Sequence, residues 1–238
     1  MLGKMTFELF VFDIAGTTLN DTGGIVAHCF EQALQENGRH FSQDQINTVM
    51  GYRKIDAIRM LLSEDGSPLS ASEQQQAQEI HDLFLQKINS YYLNKDIREI
   101  DGISELFSEL ANRGIKIALN TGFSRSTTDI IVQKLGWQDK GLIDTSITSD
   151  EVAEGRPHPD MINALVDRLG ISSNTAVVKV GDTPSDLLEG KNADCGLTIG
   201  VLYGTHTEEQ LVKYNHDYLI STPSEILTIL DSEPSLVN

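Results

Sequence analysis

The amino-acid sequence predicts an α/β fold, a doubly wound parallel sheet of Rossmann-like type with an all-helical domain inserted into it. Two observations lead there. Strand-like and helix-like segments alternate through most of the chain, the pattern of a sheet covered by helices on both faces. One stretch, from about residue 22 to residue 92, breaks that alternation with successive helical patterns and no convincing strand.

The first element is Thr6 to Asp13 (TFELFVFD), aromatic-rich and almost continuously apolar, as a buried parallel strand should be. The helical block follows. Ile25, Cys29, Phe30 and Leu34 share one helical face, and Gly38 is a plausible stop. Ser42 with Gln45 forms a possible capping box for a second helix ending near Gly51. Ile55, Ile58, Leu61 and Leu62 mark a third, and Ser70 with Glu73 can cap a long fourth. The alternation then resumes with a helix over Ile103–Arg113 and a strand over Ile115–Thr121. Leu142–Thr148 is a weaker strand candidate, and Met161–Leu169 a helix. Strands are expected at Thr175–Asp182, Gly196–Leu202 and Asp217–Ile220. This order predicts a core built from residues 1–19 and 97–238, and a helical cap over 20–96. The connections between them fall near Leu19–Thr22 and Asn94–Asp101.

Composition narrows the function classes. A formal net charge of −17 argues against a nucleic-acid partner, because phosphate backbones bind clustered Lys and Arg. No apolar run approaches the roughly 18 residues of a membrane helix, and no polybasic segment marks a membrane surface. Met1 to Asp13 carries Glu8 and Asp13 within its apolar stretch, so it reads as a strand and not as a signal peptide. Cys29 and Cys195 are too few for a disulfide framework or a zinc site, which suits free thiols in a reducing cytoplasm. The expectation is a cytoplasmic protein, monomeric or homodimeric, acting on a small molecule.

In parallel α/β sheets, ligands bind beyond the carboxyl ends of the strands. Asp13, Thr121, the Arg156 segment, and Asp182 with Asp186 all lie at or just past such ends. Singly, each is explained by a turn, a cap or a surface ion pair. Jointly, they are distant residues that the fold would gather at one place.

The residues around them resemble the four motifs of the haloacid dehalogenase superfamily, in order and at matching spacing. Asp13-Ile-Ala-Gly-Thr-Thr18 is similar to the first, Asn120-Thr121-Gly122 to the second, Gly155-Arg156-Pro157-His158-Pro159 to the third, and Val180-Gly-Asp-Thr-Pro-Ser-Asp186 to the fourth. The resemblance spans nearly the whole chain and implies a doubly wound core with a helical cap. It also implies that Asp13 attacks phosphorus to form an aspartyl intermediate, splitting one hard displacement into two easier ones. Mg²⁺ would be held by Asp13, the Ala15 carbonyl and Asp182, with Asp186 a ligand or nearby partner; hard oxygen donors are what that ion demands. Thr121 would bind a phosphoryl oxygen and Gly122 would let backbone N–H groups approach. Arg156 would hold the phosphoryl group and offset the crowded carboxylates.

Two positions depart from the common pattern together. Position 15 is Ala, where most phosphatases of the superfamily carry a second Asp as acid and base, and position 156 is Arg, where Lys is usual. Losing an acid/base costs about 10²–10⁴ in rate for an ordinary ester. The pairing resembles the phosphonatases, or phosphonoacetaldehyde hydrolases, in which a cap lysine forms an imine with the substrate aldehyde and carbon leaves as an enamine. Met50-Gly51-Tyr-Arg-Lys54-Ile-Asp56 is similar to the segment carrying that lysine, which nominates Lys54, with Gly51 beside it on the substrate side. Adjacent Arg53, the start of a helix and burial under a closed cap would each disfavour the ammonium form. The phosphonatase segment has His where this chain has Ala57, and a Tyr where it has Phe123. His28, His81 and His158 are the substitutes to consider. The resulting expectation is a Mg²⁺-dependent hydrolase of a small phosphonate or phosphorylated metabolite. The rivals are a phosphate-monoester phosphatase of phosphoglycolate phosphatase type and a non-catalytic phosphometabolite-binding protein.

Overall fold

The computed structural model describes residues 6–21, 23–63 and 66–232. Met1–Met5 and Thr22, which figured in the readings of the first segment and first connection, lie outside the described residues. The chain runs β1 (Leu9–Phe12), α1 (Ile25–Glu36), α2 (Gln43–Thr48), α3 (Lys54–Leu62), α4 (Ala71–Asn94), α5 (Ile103–Asn112), β2 (Lys116–Thr121) and α6 (Arg125–Leu135). It continues through β3 (Thr145–Thr148), α7 (Asp160–Leu169), β4 (Val177–Gly181), α8 (Pro184–Asn192), β5 (Leu197–Val201), α9 (Glu208–Leu211), β6 (Tyr218–Ile220) and α10 (Glu225–Ser232). The six strands form one sheet in the order β3-β2-β1-β4-β5-β6, and every pairing is parallel.

The expected strands form, shorter than their apolar runs. β1 covers four of the eight residues from Thr6 to Asp13. Alternate side chains serve opposite faces of the sheet. Phe10 and Phe12 point into one core layer with Ile117, Leu119, Val178 and Val180. Phe107 of α5 packs on Phe12 at 5.1 Å between centroids and meets Trp137 at 6.0 Å. Leu9, Val11 and Ala118 face the other layer, closed by Met161, Ile162 and Leu165 of α7.

Between β1 and α5 the chain is helical, as the broken alternation predicts. The Ser42/Gln45 and Ser70/Glu73 capping boxes both form, starting α2 and α4 where the sequence places them. Ala77, Ile80, Phe84 and Ile88 line one face of α4 at helical spacing, and Phe30 of α1 meets Phe84 edge-on at 5.7 Å. The two strands of chain joining this block to the sheet hold each other: Asn20 N–H donates to Arg98 O (2.9 Å) and Ile100 N–H to Thr18 O (2.8 Å). No helix among the described residues is long and apolar enough to cross a membrane.

Candidate active site

The strand order reverses direction of travel between β1 and β4, and the crevice beyond their carboxyl ends is where such sheets bind ligands. Asp13 follows β1 and Asp182 follows β4, so topology alone makes these two carboxylates neighbours. Thr183 caps α8, its Oγ1 accepting from Asp186 N–H (3.3 Å), and the Asp186 carboxylate closes the capping box by accepting from Thr183 Oγ1 (2.6 Å) and N–H (3.2 Å). Among the described residues, Asp13, Asp182 and Asp186 offer one oxygen each within 4.8 Å of one another.

Beneath them lies a buried polar network. Arg156, its side chain fully covered, places Nη1 2.7 Å from Asp13 Oδ1 and 2.9 Å from Asp186 Oδ1. Its Nε donates to Glu189 Oε2 (2.9 Å), and Nη2 donates to Asn120 O (2.6 Å) and Oδ1 (2.7 Å). Lys179, the lone charge inside β4, donates to Asn120 Oδ1 (2.7 Å) and sits 2.9 Å from Asp186 Oδ1. Asn120 Nδ2 in turn donates to both Glu189 oxygens. Of the two roles expected of Arg156, its contacts supply the offset of carboxylate charge. A hold on a phosphoryl group is not among them: all its donor directions meet protein oxygens, and it does not line the cavity.

The charges do not balance. Asp13, Asp182, Asp186 and Glu189, all buried, outnumber the buried Arg156 and Lys179 beside them by two when ionised; Lys54, buried across the cavity, supplies one more positive charge when protonated, and an excess of negative charge remains. Burial raises Asp13, only partly countered by Arg156. Burial, then repulsion from Asp13 and Asp186, pushes Asp182 up to about 7. For Asp186 burial is outweighed by Arg156 and Lys179, which hold it low. Clustered hard oxygens with an excess of negative charge are a donor set that fits a divalent cation of the Mg²⁺ type.

Above the carboxylates is a cavity of about 320 Å³, walled by the core and by the helical block. Asp13, Ala15, Thr121 and Gly122 form its floor; Gly51 and Lys54 close it from the helical side, with Asp21, Asn47 and Tyr203 at its edges. Thr121 Oγ1 accepts from Phe123 N–H (3.1 Å) and remains available as a donor. Thus every expected site residue except Arg156, Asp182 and Asp186 lines one cavity, and those three lie directly beneath Asp13.

Two glycines permit this closure. A Cβ at Gly122 would stand 2.4 Å from Tyr52 O, so only glycine lets the loop before α3 lie on the end of β2. Gly51, at φ +83°, has the left-handed conformation that favours glycine, and a Cβ there would strike Ser185 Oγ at 2.1 Å. The close approach at Gly122 is therefore made by the helical block's own backbone.

Lys54 opens α3 and is buried, its Nζ donating to Tyr52 O (3.3 Å) and lying 6.0 Å from the centre of the Phe123 ring. Burial lowers its pKa to about 8, helped by Arg156 and opposed chiefly by Asp13. A larger share of it is therefore free amine at neutral pH than of an unperturbed lysine. The sequence pointed to Arg53 as the depressing cation. That is corrected: Arg53 turns away, donating to Val152 O (2.7 Å) and Ala153 O (3.1 Å) and so tying α3 to the core. Ala57 is fully buried and does not line the cavity. Nor do the considered substitutes: His28 bonds Gln32, His158 sits on the surface by Glu154, and His81 neighbours Asp82.

Sequence reading passed over Lys179, Glu189 and Asp21. The first was visible as a charge among valines in TAVVKVGD, the second as a carboxylate one helical turn after Asp186. Asp21 carried no signal, because an Asp before a helix reads as a cap.

Residues 10–199 match the sequence model of the haloacid dehalogenase-like hydrolases. A phosphonoacetaldehyde hydrolase of Bacillus cereus is 32% identical over 219 residues, covering 88% of this chain and 81% of that protein. Among solved structures, a phosphonoacetaldehyde hydrolase-like protein from Oleispira antarctica superposes with a TM-score of 0.83 at 21% identity, covering 98% of this chain and 94% of the other. A protein assigned as a phosphoglycolate phosphatase from Lactobacillus delbrueckii subsp. bulgaricus gives 0.76 at 20% identity, covering 95% and 99%. At such identities the two structures show the fold alone.

Proposed function

The chain belongs to the haloacid dehalogenase-like hydrolase family, and we propose that within it the protein is a Mg²⁺-dependent hydrolase of a small phosphonate bearing an aldehyde, with Asp13 as nucleophile and Lys54 as imine former. One observation carries this reading: a buried lysine, its pKa lowered to about 8, lines the same cavity as the Asp13 carboxylate. The Bacillus cereus relatives are phosphonoacetaldehyde hydrolases, which supports the substrate class.

In this reading the Lys54 amine adds to the aldehyde carbon, and the carbinolamine loses water to give an iminium. Asp13 then bonds to phosphorus as the carbon–phosphorus bond breaks, its electron pair moving onto carbon to form an enamine. Protonation at that carbon and hydrolysis of the imine release the shortened aldehyde and restore the amine. Water cleaves the aspartyl phosphate. Carbon departs as an enamine, so the acid missing at position 15 is not needed. Asp13, Asp182, Asp186 and the Ala15 carbonyl would hold Mg²⁺, which supplies positive charge against the phosphoryl oxygens. Thr121 and the Gly122 N–H would bind those oxygens, while Arg156 orients Asp13 from beneath. Residues 20–96 serve as the cap that excludes water.

Family membership sets aside the non-catalytic binding protein. The monoester phosphatase, of phosphoglycolate phosphatase type, has only fold likeness in its favour, and Ala15 offers such an ester no acid. Phosphate release from phosphonoacetaldehyde and from a panel of phosphate esters, by wild type and Lys54→Arg, separates the two. We expect phosphonate cleavage that Lys54→Arg abolishes, since a guanidinium forms no imine. Rapid turnover of esters that is unchanged in Lys54→Arg would overturn the proposal.

A further inference from the structure

The imine chemistry needs a proton donor twice, and none of the residues assigned above supplies it. Dehydration of the carbinolamine requires a proton on its departing hydroxyl, and the enamine requires one on carbon. Among the described residues, no histidine lines the cavity. One carboxyl without an assigned role does. Asp21 lies where the chain leaves the core, and its Oδ1 accepts from Ile25 N–H (2.8 Å), which fixes the carboxyl at the start of α1. It borders the cavity containing Lys54 and Asp13 on one side. On the other it borders a groove lined by Gly23, Tyr91, Tyr92, Asp96 and Arg98, of which Gly23, Asp96 and Arg98 are exposed. Asp21 therefore lines both the reaction cavity and an outer groove that reaches solvent.

We propose that Asp21 is the proton-transfer group of this cavity; the inference rests on the imine reading of Lys54. As a neutral acid it protonates the carbinolamine hydroxyl, which leaves as water, and Asp21 becomes a carboxylate beside the new iminium. It regains a proton from the outer groove and delivers it to the enamine carbon after the carbon–phosphorus bond has broken. As a carboxylate again, it takes a proton from the water that attacks the second iminium and returns to its starting state. The proton drawn from solvent is balanced by the one released when water cleaves the aspartyl phosphate.

The setting suits this. Burial raises Asp21 to about 6, the Ile25 and Val26 N–H groups and then Lys54 pulling it back. The other titratable or charged groups facing it are Tyr92 from α4, Cys29 from α1, Tyr91, Asp96 and Arg98 across the outer groove and, beyond Lys54 of α3, Asp13. Tyr92 and Cys29 are held protonated by burial, so at neutral pH they add no charge.

The active form pairs an Asp21 acid with a Lys54 amine. Its abundance rises with pH to about 6, stays level to about 8 and then falls. Asp21→Asn keeps an oxygen for Ile25 N–H, so α1 stays capped, which a thermal melt verifies. We expect kcat on phosphonoacetaldehyde to fall about 10²–10⁴-fold. The pH at which kcat/KM levels off should move from about 6 to about 8, and the alkaline fall should vanish. Borohydride should still trap the substrate on Lys54, more slowly. Asp21→Glu, retaining a carboxyl, should keep a bell-shaped profile at reduced kcat. If the Lys54 adduct forms in wild type while Asp21→Asn turns over within about threefold with an unchanged profile, Asp21 is not the proton carrier. If wild type gives no adduct, the failure belongs to the imine reading, and this inference falls with it.

Discussion

Arg156 Nη1 lies 2.7 Å from Asp13 Oδ1, yet the guanidinium has no edge on the cavity. The residue therefore acts on the proposed nucleophile from behind, as a buried counter-charge shared with Asp186 and Glu189. Removing one partner of a buried ion pair leaves carboxylates uncompensated, at a cost of about 3–5 kcal/mol. Arg156→Met should lose that much stability in urea unfolding, and Arg156→Lys less, since a single ammonium cannot reach every oxygen the fork now meets. A wild-type unfolding midpoint for Arg156→Met would show that the network does not depend on it.

The second prediction concerns pH. Burial and repulsion raise Asp182 to about 7 in the folded protein, against about 3.9 for a free aspartate, so the folded state binds the extra proton between those values. Stability of the metal-free protein should then fall as pH rises through that window and level off above 7. Mg²⁺ should raise the melting temperature most above pH 7, where Asp182 is ionised, and little at pH 5. Asp182→Asn should remove both the slope and the Mg²⁺ response. A Mg²⁺ shift as large at pH 5 as at pH 8 would contradict this assignment of the deficit in positive charge.

The third tests closure. Gly122→Ala places a Cβ 2.4 Å from Tyr52 O, and backbone cannot yield as a flexible side chain can. The Tyr52–Lys54 loop should be pushed off the end of β2. We expect phosphonate turnover to drop at least about 10²-fold, since misplacement of about 1 Å costs that much, with faster proteolysis between residues 49 and 54. Turnover and proteolysis like those of wild type would show that the contact is incidental.

Most of the sheet was legible because buried parallel strands are written as apolar runs, and the carboxyl-end rule then placed Asp13, Thr121 and Asp182 together. The helical block was legible through its capping boxes, both of which form. What the sequence did not reveal depends on three-dimensional proximity. Arg53 adjoins Lys54 in sequence, but its side chain leaves for Val152, and the cation that depresses Lys54 is Arg156, a hundred residues away. Asp21 and Lys54 share a cavity only because α1 and α3 pack around it, and no spacing rule announces that.

The central claim is that Lys54 and Asp13 act in sequence on one substrate, and borohydride trapping in two proteins tests it most directly. In Asp13→Asn the reaction should stop after imine formation, since the amide cannot accept the phosphoryl group. Reduction in the presence of phosphonoacetaldehyde should leave a phosphonoethyl group on the peptide carrying Lys54. In wild type the carbon–phosphorus bond breaks first, so the same peptide should also carry an ethyl group, lighter by one phosphoryl group. Adducts that keep phosphorus in Asp13→Asn and lose it in wild type are the result the account predicts. An ethyl adduct in Asp13→Asn, or no adduct on Lys54 in either protein, would contradict it.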